Sequence, residues 1–170
     1  MRRTLIVAGL TTLTLNLASF STRAMPVRPD NSRAALATLG QEYADLQTWA
    51  TAIAGTTDTL ASSERARVLA GQLARLMQPL EGDFEKTTAA LTTAQLELIL
   101  PLWERMAFAH AGFAMLAERA SALGKDASAD PLELQDIAAQ LSAVLDFASE
   151  IERQALTQLV TPVETPIRLT

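Results

Sequence analysis

Apolar residues recur along this chain at alternating intervals of three and four positions, the pattern of helices that pack side by side at shallow angles. The clearest run lies near the start and comprises Leu36, Leu39, Tyr43, Leu46, Ala50 and Ile53. No stretch shows the strict alternation of apolar and polar residues that is typical of a strand. The pattern therefore predicts an all-α protein, with an up-down-up-down four-helix bundle as its architecture.

Capping residues divide the pattern into separate helices. Thr92 and Gln95 have the spacing of a capping box, and Asp130 followed by Pro131 is a strong helix start. With Ser62 or Ser63 as a further cap, the four helices are predicted to cover about 32–54, 62–90, 92–124 and 131–160. Pro79 lies within the second of these and Pro101 within the third, so both helices are predicted to be kinked or broken there.

The first 24 residues differ from the rest and predict a signal peptide. Arg2 and Arg3 precede an apolar run, which is followed by small residues that end at Ala24. The start RRTLI also resembles the twin-arginine export motif, which leaves two export routes open. Residues 25–170 are then predicted to form one helical-bundle domain with an irregular tail from about 161, and the protein is predicted to be periplasmic or secreted.

Composition narrows the possible functions. Loss of residues 1–24 removes three arginines and no acid, which changes the formal charge from −5 to −8. A chain this acidic, with only two lysines, is not expected to bind nucleic acid, nor a membrane after signal cleavage. The chain has no cysteine, which excludes disulfides, thiolate metal sites and cysteine nucleophiles.

The residues needed for common catalytic and metal sites are missing from the sequence. His110 is the only histidine, and no G-x-S-x-G turn accompanies it. A carboxylate-bridged di-iron bundle needs glutamate three positions before histidine, where this chain has Ala107. We therefore predict no catalytic residue, no metal site and, in the favoured interpretation, no cofactor and no enzymatic activity.

An alternative interpretation gives His110 a cofactor. Small b-type haem bundles hold iron between a methionine and a histidine, and this chain resembles them in carrying His110 on one helix and Met77 on another. The resemblance implies a haem b or metal carrier with His110 as axial ligand. The competing prediction is that His110 is a core residue hydrogen-bonded to a neighbouring helix.

A second resemblance rests on Leu91, Thr92 and Gln95, which match the L-T-x-x-Q motif of the periplasmic chaperones of the Spy type. The resemblance implies an exported helical protein that works through a binding surface. The capping box alone also accounts for Thr92 and Gln95.

The third predicted helix is apolar on every side, unlike the other three. Such a helix is either nearly enclosed or presents an apolar surface to a partner. Phe108, Gly112 and Met115 lie on the face opposite the predicted core and are the candidate partner-binding residues. We therefore predict a non-catalytic binding role, through an apolar surface or groove on this helix, toward a protein partner or a second copy of the chain.

Overall fold

The structure, a computed structural model, describes residues 31–56 and 62–160, and its only regular elements in these ranges are α-helices. They are α1 (Asn31–Gly55), α2 (Ser63–Met77), α3 (Pro79–Ala90), α4 (Thr93–Lys125) and α5 (Pro131–Val160). The predicted all-α class is confirmed for this part of the chain. Because α2 and α3 together match the second predicted helix, the four predicted helices are all present. The predicted signal peptide and the predicted tail from 161 lie outside the described residues.

The helix starts follow from local sequence. The Ser62 side chain accepts a hydrogen bond from the backbone N–H of Arg65 at 3.3 Å, which caps α2. At α4, the Thr92 hydroxyl accepts from the N–H of Gln95 at 3.2 Å, while the Gln95 side chain accepts from the N–H of Thr92 at 2.9 Å. The predicted capping box is therefore confirmed.

The second predicted helix is interrupted where Pro79 was expected to disturb it. Proline has no backbone N–H to donate to the preceding turn, and α2 accordingly ends at Met77 while α3 begins at Pro79. Gln78 between them keeps helical backbone angles. By contrast, α4 is continuous through Pro101, and a kink at that position stays a prediction.

The interruption lets the two halves of the second predicted helix pack on different neighbours. α5 packs against both α1 and α4, α2 packs mainly on α4, and α3 packs mainly on α1. One continuous core of buried apolar side chains lies among them. This packing is consistent with the predicted bundle, whose up-down-up-down order stays a prediction.

The apolar run that predicted α1 is also the buried face of that helix. All six residues of the run are buried. In α2, however, Leu76 is 42% exposed, whereas Ala70 and Met77 are buried. The reason is a close approach of α2 to α4, described below, which places the small residues of α2 at the interface.

Candidate functional site

A groove of about 480 Å³ runs between α2 and the start of α3 on one side and α4 on the other. We call it the α2–α4 groove. Small residues line much of it, namely Gly71, Ala74, Ala114, Ala117, Ser121 and Gly124. Larger side chains complete the lining, among them Met77, Leu80, His110 and Phe113. The volume lies in the range that is typical of small-molecule sites.

Two glycines bring the walls of this groove into contact. A Cβ atom on Gly124 would lie 3.0 Å from the backbone nitrogen of Gly71 and 3.1 Å from its Cα. These distances are shorter than normal contacts, so the backbones of α2 and α4 touch at a place where α4 has no side chain. A Cβ on Gly71, in contrast, would meet nothing within 4 Å. Gly71 therefore offers a position at which a side chain can be added without a clash.

His110 is held on three sides by aromatic residues. Its Nε2 atom lies 2.6 Å from the hydroxyl oxygen of Tyr43 in α1. Its ring stacks on Phe84 of α3, with centroids 4.2 Å apart, and meets the edge of Phe113 at 5.2 Å. The hydrogen bond to a neighbouring helix that was predicted for a core histidine is thus present.

Both members of this hydrogen bond are neutral at neutral pH. Burial lowers the pKa of His110 to about 4. Burial, together with the charges of Glu152 and Glu42, raises the pKa of Tyr43. Tyr43 therefore keeps its proton, and its hydroxyl lies within hydrogen-bond distance of both Nε2 of His110 and the sulfur of Met106, which is 3.3 Å away.

The hydrogen bond with Tyr43 occupies Nε2 of His110 and leaves Nδ1 for a ligand. In a neutral ring, Nδ1 donates when Nε2 accepts from Tyr43, and Nδ1 accepts when Nε2 donates. Among residues 31–56 and 62–160, no side chain or backbone group forms a hydrogen bond with Nδ1. Nδ1 is therefore the polar atom that His110 can offer to a molecule in the α2–α4 groove.

Met77 and His110, the candidate haem ligands, line the same groove from opposite walls. Met77 is buried on α2 and His110 is buried on α4. The fold thus brings together two residues that are 33 positions apart in the sequence. Nε2 of His110 is occupied by Tyr43, so a metal would have to bind Nδ1 or displace the tyrosine.

Charged side chains also line the groove. Arg75 and Lys125 are on its lining, as is Glu81. In the part of the chain that the structure describes, neither cation forms an ion pair. A groove with two unpaired cations in an acidic protein favours a ligand that carries a negative charge.

The outer face of α4 carries the candidate partner-binding residues. Phe108 and Met115 are 77% and 68% exposed, so neither is covered by another described helix. Gly112 lies nearer α5, where a Cβ atom would be 3.6 Å from Val144, an ordinary contact distance. The face of α4 that carries Phe108 and Met115 is therefore exposed, whereas Gly112 lies beside α5.

Glu152 of α5 is a buried carboxylate that was not among the candidate residues selected from the sequence. A Cβ atom on Gly40 of α1 would lie only 2.9 Å from the carboxyl carbon of Glu152. The missing side chain of Gly40 therefore makes room for this group, and burial raises its pKa. The sequence did offer one indication of this site, namely Gly40 in the middle of one helix and Glu152 next to the apolar positions of another.

Within 31–56 and 62–160, no three acidic or histidine side chains converge as a metal site would require. No helix described in these ranges combines the length and apolar character needed to cross a membrane. Comparison with known proteins found no matching family model, no matching curated protein and no matching solved structure.

Proposed function

We propose that this protein is an exported, non-catalytic carrier that binds a small amphiphilic molecule in the α2–α4 groove. The observation that carries the proposal is the groove itself, which is kept open along α4 by small residues and lined by Met77, Leu80 and Phe113. Apolar walls with a few polar groups are typical of ligand sites. We infer that the four helices run alternately up and down, which sets α2 antiparallel to α4 along the groove.

The charges on the groove support a ligand with an anionic head group. Arg75 and Lys125 have no ion-pair partner among the described residues, and Nδ1 of His110 is a further polar atom on the lining residues. A long-chain carboxylate combines a negative group with an apolar chain that the remaining lining can cover. Glu81 also lines the groove, so we expect the carboxylate to bind beside the two cations and away from this residue.

Titration with laurate, followed by calorimetry, tests the proposal. Gly71→Leu adds a side chain where a Cβ meets open space, so we expect it to fill the groove and weaken laurate binding at least tenfold. Gly82→Leu is the matched control, because Gly82 also has free space around its Cβ but does not line the groove. No heat of binding with the unmodified protein, or equal binding by the two variants, would overturn the proposal.

The role of the cations is tested separately. Arg75→Gln and Lys125→Gln should each weaken laurate binding while leaving the binding of dodecanol, which has no charge, nearly unchanged. Lys86→Gln is the control, since Lys86 pairs with Asp83 on α3 and lies outside the groove. Equal losses for laurate and dodecanol would contradict charge recognition.

We propose that the protein is exported, because residues 1–24 have the sequence pattern of a signal peptide. Cell fractionation should find the protein outside the cytoplasm, with a mature N-terminus at Met25. Replacement of Arg2 and Arg3 by lysine should block export through the twin-arginine route and leave general secretion unaffected.

A second candidate function is haem b binding, favoured by the convergence of His110 and Met77 on one groove. An absorption spectrum of the purified protein, repeated after addition of haem, decides it. A Soret band that is lost in His110→Phe and altered in Met77→Leu supports a haem carrier. Absence of the band in both spectra eliminates this function.

A further inference from the structure

The outer face of α4 has a symmetry that neither the groove nor the core requires. The segment 104–119 places similar residues at equal distances on both sides of the midpoint between Ala111 and Gly112. It begins and ends with the pair ER, and two residues inside each pair lies a large apolar residue, F on one side and M on the other. Phe108 and Met115 are equally distant from this midpoint. Farther out, Glu104 matches Arg119, and Arg105 matches Glu118.

We propose that this face binds the same face of a second copy of the chain, with the two α4 helices antiparallel and a two-fold axis between Ala111 and Gly112. In such an isologous contact, every interaction occurs twice. Phe108 of each copy packs on Met115 of the second copy, and Glu104 of each copy meets Arg119 of the second. This inference does not rest on the α2–α4 groove, which opens on another side of α4.

The helical geometry places these groups on one stripe. At 100° per residue, Glu104, Phe108, Met115 and Arg119 all point within about 30° of one direction. Phe108 and Met115 are the most exposed large apolar side chains on α4. Ala111, which is exposed, and Gly112 lie at the crossing point, where small residues allow two helices to approach closely.

The charges favour the antiparallel arrangement over the parallel one. An antiparallel pair places Glu104 opposite an arginine, whereas a parallel pair places Glu104 opposite Glu104 and Arg119 opposite Arg119. Glu104 forms no ion pair within the described chain. Arg119 already contacts Asp136, Gln140 and, at 3.9 Å, Glu133 of its own copy, but a guanidinium has five N–H donors and has capacity for another carboxylate.

Single cysteine variants test both the contact and its direction, because the chain has no cysteine of its own. Ala111→Cys lies beside the two-fold axis, so two copies should form a disulfide-linked dimer under mild oxidation. Ala122→Cys is the matched control, since it is exposed on the same stripe but far from the axis. Cross-linking of Ala111→Cys alone supports the proposal, whereas cross-linking of both variants, or of neither, overturns it.

Light scattering over a range of concentrations tests the same contact without modification. One helix face per copy is a small interface, so the dimer should dissociate on dilution. Phe108→Asp and Met115→Asp should be monomeric at every concentration, whereas Leu132→Asp should still form dimers. Leu132 is 69% exposed but lies on α5, outside the stripe. A monomeric parent protein, or a dimer that survives Phe108→Asp, overturns the proposal.

The charge pairs give a finer test. Glu104→Arg places two arginines opposite each other at both ends of the contact and should raise the dimer dissociation constant roughly tenfold. Glu85→Arg makes the same change of charge at an exposed site on α3 and should leave the constant unchanged. Equal effects of the two substitutions would contradict the pairing. Gly71→Leu should leave the dimer intact, which separates this inference from the proposed carrier function.

Discussion

The two faces of α4 carry the same kinds of side chain in opposite surroundings. On the inner face, Met106 and Phe113 are buried against α1 and its neighbours, while on the outer face Met115 and Phe108 are exposed. The residue types alone would assign all four to a core. The difference shows that the inner face of α4 stabilises the fold, whereas no other described helix covers its outer face.

The strongest test of this contrast compares two phenylalanines on the same helix. Phe113→Ala should lower the free energy of unfolding by about 3–5 kcal/mol, because it removes buried surface and leaves a cavity. Phe108→Ala should change it by less than about 0.5 kcal/mol, because Phe108 has little protein around it. Urea unfolding of the monomeric protein at low concentration measures both. Similar losses would mean that the two faces do not differ as described.

A second test uses pH, because the inner face contains a histidine that is neutral when folded. The unfolded chain protonates His110 near its ordinary pKa of 6.5, whereas the folded protein does so only near pH 4. The unfolded state therefore binds more protons between these values. The free energy of unfolding should fall as the pH is lowered from 6.5 to 4, by up to about 3 kcal/mol.

The contribution of His110 is found by comparing how steeply the free energy of unfolding changes with pH in different variants. In His110→Phe, most of the decrease between pH 6.5 and 4 should be lost, whereas the outer-face variant Phe108→Ala should retain it. Buried Glu152 contributes with the opposite sign, but it is present in all three proteins and cancels in the comparison. A slope that is unchanged in His110→Phe would contradict the burial of a neutral histidine.

Two glycines of α4 give a third comparison. Gly124→Ala should cost about 1–3 kcal/mol, because the new Cβ would overlap the backbone of Gly71. Gly112→Ala should instead stabilise the protein by up to about 1 kcal/mol, since its Cβ meets Val144 at a normal distance and alanine favours a helix. Thermal unfolding followed by circular dichroism should therefore give shifts of opposite sign.

The smallest expected effect concerns Glu152. Its pKa is raised by burial above the usual 4.5, so the stability it contributes is present below that pH and is lost as the pH rises through the folded value. Glu152→Gln should therefore stabilise the protein at pH 7, and only slightly, because the surrounding solvent screens part of the cost of the buried charge. The gain should vanish near pH 4, and a gain that is independent of pH would point to another cause.

Much of the fold could be predicted from local patterns. The alternating three- and four-residue spacing predicted helices, and the caps at Thr92 and Asp130 predicted where α4 and α5 begin, because capping depends on residues within one turn. The rotation of α2 could not be predicted in this way. Leu76 and Met77 are both apolar, and which of them is buried depends on how α2 packs against α4, where Gly71 and Gly124 meet.

The candidate site was predicted in part. His110, Met77, Phe108 and Met115 were selected from the sequence, and the structure places the first two on one groove and the other two on an open face. Tyr43 was assigned only to the core, because its hydrogen bond to His110 joins residues that are 67 positions apart. No sequence pattern linked Arg75 to Lys125, because the two residues are close only when α2 packs on α4.

By itself, the sequence determined the helical class, the helix starts, the interruption at Pro79 and the symmetric stripe around Ala111 and Gly112. These features depend on neighbours within a few turns of one helix, where spacing along the chain fixes position in space. Only the tertiary structure decided that no described helix covers the outer face of α4, which residues surround His110 and which charges share a groove. Those depend on the side chains of other helices, whose distance in space has no regular relation to their distance in sequence.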